Sequence, residues 1–308
     1  MISYGANLED VILMRALGGI GSGFYIDIGA SFPDQDSITK NFYDNGWSGV
    51  NIEPIAAAYT RLMLDRPRDV NLACALGSAS GTLRMWDPGI PGLATGRPNI
   101  GQELLEAGCT VQPFDVPLRT LVDVWEEHVL GDVHFLKVDV EGMEADVLRG
   151  ADFSRHRPWI LLIESTHPNT TQETYTQWEP LVSSAGYLHV YSDGVNRFYV
   201  ARERQDLVSA FRYPPNIFDC YKTSAQAAAE AAAEGLRKDL AASEATRRSL
   251  INLSRGLGVK FKQMEQSLLD LSGQAQKLAH QGRASTMTRQ ARSIHAQLSQ
   301  LCGESELH

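Results

Sequence analysis

A short, mostly apolar run, Phe24-Tyr25-Ile26-Asp27-Ile28, stops at Gly29-Ala30-Ser31. Such a run, closed by glycine and small residues, has the pattern of a central parallel strand buried on both faces. Gly29 has no Cβ, so the turn can take unusual torsions and a ligand can come close to the backbone. Asp27, near the end of the run, can accept hydrogen bonds from a cationic or hydroxyl-bearing ligand. Open parallel sheets bind ligands just beyond the carboxyl ends of their strands. The turn is therefore a candidate binding loop.

The segments around it alternate. Before it, Asn7 to Leu17 predicts a short helix, with Glu9 and Asp10 in the first turn, where the helix dipole favours anions. Gly18 to Gly23 precedes the strand, so it is a lead-in loop and not a dinucleotide fingerprint, which must follow a strand and open a helix. After the turn, Asp36 or Ser37 is expected to cap a helix from Ile38 to Asn45, ended by Gly46. Strands are expected at Ser48–Ile52, Val70–Leu76, His134–Val140 and Trp159–Ile163. Helices are expected at Ala56–Leu64, Leu118–His128, Met143–Leu148 and Trp178–Ala185. Gly81 to Val111, rich in Gly, Pro and polar residues, has the length of a lid or substrate loop. Leu188–Tyr191 and Arg197–Val200 flank Ser192-Asp193-Gly194 as a hairpin. The class is α/β, with a mostly parallel sheet and an antiparallel edge hairpin.

Two further places carry chemistry. Glu53-Pro54 closes the second strand, 26 residues beyond Asp27. An acid at that distance from a glycine turn grips ribose hydroxyls in nucleotide sites, or simply caps the next helix. Asp139-Val140-Glu141-Gly142 closes the fourth strand. On a strand, Asp139 and Glu141 point the same way. They could bind a cation, orient a cofactor amine or act as a general base. Helix capping accounts for one of them but not both.

Composition excludes several classes. The net charge of −9 opposes generic nucleic-acid binding. The four cysteines, Cys74, Cys109, Cys220 and Cys302, form no Cys-x-x-Cys pair, so zinc and redox motifs lack support and free thiols in a reducing compartment are expected. The N-terminus has no signal-peptide pattern and no run approaches the ~20 apolar residues of a membrane span, so a cytoplasmic protein is expected. The chain divides near residue 222. All 13 prolines and all five tryptophans precede that point, with 29 Asp and Glu against 17 Lys and Arg; from Thr223 onward there are 8 against 11. The expected organisation is a globular domain, 1–222, and a helical tail, 223–308.

The first part resembles the FkbM-type methyltransferases, a branch of the class I, Rossmann-like enzymes that use S-adenosylmethionine. The resemblance rests on Ser3-Tyr4 with Asn7-x-Glu9-Asp10, Phe24 through Ala30, Asp36-Ser37-x-Thr39-x-x-Phe42-Tyr43, and Gly46-Trp47 with Asn51-Ile52-Glu53-Pro54. It continues through Val116-Pro117 with Thr120-Leu121, Phe135-Leu136-Lys137-Val138-Asp139-Val140-Glu141-Gly142, Arg157-Pro158-Trp159 with Glu164, and Asn196-Arg197-Phe198-Tyr199-Val200. It implies methyl transfer from S-adenosylmethionine, usually to a hydroxyl, with a sugar on a glycan or glycosylated metabolite as acceptor. It assigns Asp27, Gly29, Ala30 and neighbouring Ser31 and Ser37 to the cofactor region, Glu53 with Pro54 to the ribose, and Asp139 and Glu141 to the methionine end and the acceptor. A hydroxyl acceptor loses a proton, and Glu141, Glu164 and His167 are the candidate bases. A divalent ion on Asp139, Glu141 and Glu164 is the less favoured arrangement, since hard cations accept such ligands but nothing in the sequence requires one. A nicotinamide oxidoreductase is disfavoured by the missing Gly-rich pyrophosphate loop. A non-catalytic assembly protein, working through its tail, is the alternative.

In the tail, Ala225 to Ala233 strongly favours helix. Leu250, Leu253 and Leu257, then Phe261, Met264, Leu268, Leu271, Ala275 and Leu278, recur at spacings of three and four, with a stutter near Gly258. Met287, Ala291, Ile294, Leu298 and Leu301 repeat the pattern. Gly256, Gly258, Gly273 and Gly282 predict breaks. A broken coiled coil that oligomerises the protein or docks a partner is expected.

Overall fold

A computed structural model describes residues 1–90, 92–168 and 170–280, and beyond them 289, 291, 293, 294, 296 and 297. The chain falls into two units, Met1–Ala228 and Ala229–His308. In chain order the strands are β1 (Ile2–Ser3), β2 (Phe24–Ile28), β3 (Ser48–Ile52), β4 (Val70–Leu72), β5 (Ala75–Leu76), β6 (Gly81–Asp87), β7 (Gln112–Arg119), β8 (Phe135–Val138), β9 (Ile160–Glu164), β10 (Tyr187–Ser192), β11 (Asn196–Ala201) and β12 (Lys222–Thr223). The helices are α1 (Glu9–Leu17), α2 (Ile38–Asp44), α3 (Ala56–Asp65), α4 (Pro98–Glu106), α5 (Leu121–His128), α6 (Glu144–Arg149), α7 (Glu179–Ser184) and α8 (Ser224–His280).

The central sheet has the order β10-β11-β9-β8-β2-β3-β4. Its pairings are parallel except where β11 runs antiparallel to both β9 and β10. The hairpin closes one edge as expected, with its reversed strand on the inside. β2 lies at the centre because its residues are apolar toward both faces. Ile26 and Ile28 join a core with Leu136, Leu161 and the buried sides of α5 to α7. Tyr25 joins the opposite core with Phe42, Trp47, Phe135 and the apolar side of α1. The sheet is thus a layer between two helical layers.

Several boundaries differ from the sequence reading. The expected Val70–Leu76 strand is two pieces, β4 in the central sheet and β5 in a second, three-stranded sheet of order β5-β7-β6. The expected loop Gly81–Val111 contains β6 and α4. The expected Leu118–His128 helix starts later, because Leu118 and Arg119 belong to β7. Thr120 then caps α5, its hydroxyl accepting from the Asp123 amide at 3.1 Å while the Asp123 carboxylate accepts from the Thr120 amide at 3.3 Å. Ser37 precedes α2 without capping it; its hydroxyl accepts from Arg66 Nη2 at 3.0 Å.

Glu9 and Asp10 lie in the first turn of α1 as expected, and both are buried there as anchors. Asp10 accepts from the Ser3 hydroxyl at 2.6 Å and the Tyr4 amide at 2.8 Å. Glu9 accepts from Asn196 Nδ2 at 3.0 Å and so ties α1 to β11. Burial pushes the Glu9 carboxyl up to about 7.

In the second unit, α8 passes unbroken through Gly256, Gly258 and Gly273. The expected breaks at these positions do not occur, since a single glycine lowers helix propensity by about 1 kcal/mol without forbidding the helix. Gly282, Met287, Leu298 and Leu301 lie outside the described residues. Among the described residues no helix is long and apolar enough to cross a membrane. Cys74, Cys109 and Cys220 are free thiols.

Candidate active site

Beyond the carboxyl ends of β2, β3 and β8 lies a cavity of about 280 Å³. Its floor is the turn after β2. Gly29 has φ +78°, and a Cβ there would stand 1.8 Å from the Asp139 carbonyl oxygen. Glycine is required on both counts, torsion and approach. The amides of Gly29 and Ala30 donate to the Ile52 carbonyl at 3.0 and 3.2 Å, which fixes the turn against β3.

Glu53 braces the same turn from the end of β3. One carboxylate oxygen accepts from the Ser31 amide and the other from the Ile55 amide, each at 2.7 Å. Burial pushes its carboxyl up to about 7, against the pull of those two amides and of Lys137. Gly29, Ala30, Ser31, Glu53, Pro54, Asp139 and Glu141 all line the cavity. Ile52, Ile55, Cys74, Leu76, Leu83 and Met85 supply apolar wall. Three non-glycine residues with left-handed backbone, Ser31 (φ 53°), Asp36 (φ 50°) and Glu141 (φ 52°), are also on the lining. Strained torsions of this kind gather at functional sites.

Asp27 is not on the lining. It stands opposite Lys137 in the β2–β8 register. Lys137 Nζ lies 3.2 Å from Asp27 Oδ1 and 3.3 Å from Asp139 Oδ2, and donates to the Gly29 carbonyl at 2.8 Å. The other Asp27 oxygen accepts from the Thr39 hydroxyl at 3.0 Å. Burial pulls the Lys137 ammonium down, but Asp27 and Asp139 more than offset this and hold it above its ordinary range. Asp27 therefore supports the site from below, through a lysine that does reach the lining. Lys137 had a sequence signal, a lone charge inside an apolar strand, which must find a partner when buried.

Asp139 and Glu141 meet for a different reason than strand alternation. β8 ends at Val138, and the turn that follows carries Glu141 in left-handed backbone and Gly142 at φ +96°. Glu144 holds that turn, accepting from the Val140 and Gly142 amides at 3.3 and 3.0 Å. The Gly81–Val111 segment clamps it from outside. The Thr95 hydroxyl donates to the Glu141 carbonyl, and Arg97 Nε to the Gly142 carbonyl, both at 2.8 Å. Burial first, then Asp139 and Glu144, push the Glu141 carboxyl well above the ordinary range. Glu164, the last residue of β9, is driven up by burial and then by Asp139, Glu141 and Glu144. Glu164, Ser37 and His167 are not among the lining residues. His167 Nε2 instead faces Glu103 Oε2 at 3.6 Å.

An α/β fold with a nearly parallel sheet, a glycine turn after its central strand and an acid at the end of the next has the Rossmann-like plan. Residues 27–188, more than half of the chain, match the Methyltransferase FkbM domain family. The chain belongs to that family. A crystal structure of methyltransferase FkbM from Methylobacillus flagellatus KT is similar at 17% identity and a TM-score of 0.39, over 60% of this chain and 47% of that one. The chain thus spans about half the length of that protein. No curated protein matches it.

Proposed function

We propose that the chain is a methyltransferase that takes S-adenosylmethionine as donor and methylates a hydroxyl on a glycan or glycosylated metabolite. The observation that carries this reading is the Glu53 carboxylate, fixed by two amides on the cavity wall beside the Gly29 turn. So fixed, its oxygens keep lone pairs for the paired hydroxyls of a ribose. Ile52, Ile55, Cys74 and Leu76 suit an adenine ring, and Asp139 suits the ammonium of an amino-acid tail. Bound there, S-adenosylmethionine supplies a methyl group on a sulfonium, already activated for in-line displacement.

What is left to the chain is positioning, exclusion of water and removal of one proton. The apolar wall excludes water. Of the three candidate bases we favour Glu141, which lines the cavity and has a buried Oε2 without a hydrogen-bond partner. The sugar acceptor follows from the family likeness and from the acidic end of the cavity, which offers acceptors to a hydroxyl-rich molecule.

Methyl-labelled S-adenosylmethionine, offered with glycan and glycoside fractions, tests this. Glu141→Gln should bind the donor nearly as the wild type does and lose about 10²- to 10⁴-fold in turnover, the usual weight of a general base. Unchanged turnover would remove Glu141 from that role.

We also propose that α8 joins copies of the chain as a coiled coil. Leu250, Leu253, Leu257, Phe261 and Leu268 are exposed at heptad-like spacing along it.

A further inference from the structure

Asp139, Glu141 and Glu164 each bring one carboxylate oxygen to within 4.8 Å of the others. The fold forces this meeting. β8 and β9 are parallel neighbours with Val138 beside Ile163, so Asp139 and Glu164 leave the sheet side by side. The left-handed turn at Glu141 then folds the third carboxylate toward them.

Acidic clusters are common on proteins, but this one has a second feature. Glu164 is only 9% exposed, and its Oε2 is buried with no hydrogen-bond donor facing it; its neighbour there is the Asp139 carboxylate. Glu141 Oε2 is buried and unpartnered as well. Lys137 reaches Asp139 and Asp27, and leaves those two oxygens unmatched. Buried carboxylates at such separations need a cation between them or must take up protons.

We propose that Asp139, Glu141 and Glu164 hold one hard divalent cation of the magnesium or manganese type. The ligand set is all oxygen, which selects these ions over zinc or copper. Metal–oxygen bonds of about 2.1 Å for magnesium and about 2.4 Å for calcium put opposite ligands about 4.2–4.8 Å apart and neighbours closer. The three oxygens, all within 4.8 Å of one another, lie close enough for small side-chain shifts to bring them onto one ion. Three protein ligands leave positions open for water or for two adjacent hydroxyls of an acceptor. Asp139 and Glu141 also line the cavity, so the ion would hold the acceptor beside the donor, with one Glu141 oxygen on the ion and the other left to take the proton. That role rests on the methyl-transfer reading; cation binding itself does not.

The full chain, without donor, should be titrated with Mn²⁺ and followed by electron paramagnetic resonance and calorimetry. One Mn²⁺ per chain is expected. Glu164→Gln, which keeps the shape and removes one charge, should weaken it by on the order of tenfold or more. Mn²⁺ should raise the melting temperature of the wild type more than that of the variant. If the variant does not fold, Fe²⁺ with ascorbate maps the site in the wild type, and cleavage at 139–142 and beside 164 is expected. Absence of binding at millimolar Mn²⁺ or Mg²⁺, equal binding by Glu164→Gln, or cleavage confined to other places would overturn the proposal. Mn²⁺ binding without S-adenosylmethionine binding would keep the cation site and remove the donor reading. Donor binding without Mn²⁺ binding would do the reverse.

Discussion

At the residue scale, the site depends on a lysine as much as on its acids. Lys137 touches Asp27, Asp139 and the Gly29 carbonyl from inside the sheet. Removing one partner of a buried ion pair costs about 3–5 kcal/mol, because the remaining charge stays buried. Lys137→Met should therefore lower the unfolding free energy by about that amount in urea denaturation. A loss below about 1 kcal/mol would mean that solvent or rearrangement replaces the ammonium. The sequence pointed to Gly29, Ala30, Ser31, Glu53, Pro54, Asp139 and Glu141, all of which reach the lining. It pointed to Asp27 as a ligand acceptor, and there the structure differs. The reason is register. Asp27 is matched by a residue 110 positions away, across a strand neighbour that local pattern does not identify.

At the scale of elements, α1 shows how a buried acid changes the response to pH. The Glu9 carboxyl stands at about 7 in the fold against 4.5 ordinarily. Between these values the folded state keeps a proton that the unfolded state releases. Stability should accordingly fall as pH rises from 4.5 to about 7, with no further loss from this group above that. Glu53 and Glu144, also pushed up to about 7, act in the same window and direction. Melting temperatures measured across it should decline, and Glu9→Gln should flatten the slope. A rise with pH would contradict this assignment. Strands with dense apolar runs, such as Ile160 to Ile163, were legible because burial on both faces leaves a plain signal. β6 and β7 were not. Pro113 and Pro117 interrupt the β7 pattern, and pairing across a loop holds the two strands together where local preference is weak.

At the scale of the whole molecule, the alternation of strands and helices announced the class, while the order β10-β11-β9-β8-β2-β3-β4 comes from long-range pairing. The change of composition near residue 222 was the reason to expect a separate tail, and the glycines Gly256, Gly258 and Gly273 lie within one long helix. With exposed leucines along α8, the full chain should run larger than a monomer in light scattering. A chain ending at Ala228 should stay folded and be monomeric. A monomeric full-length chain would remove the coiled-coil proposal. The central claim, that the cavity between Gly29 and Glu53 receives S-adenosylmethionine, is tested most directly by calorimetry of that ligand on wild type and Glu53→Ala, with NAD as control. The expected result is binding of S-adenosylmethionine and not NAD, weakened on the order of tenfold or more when the two hydroxyl contacts are lost. Absence of S-adenosylmethionine binding, or binding indifferent to Glu53, would contradict the site and leave the tail as the chain's working part.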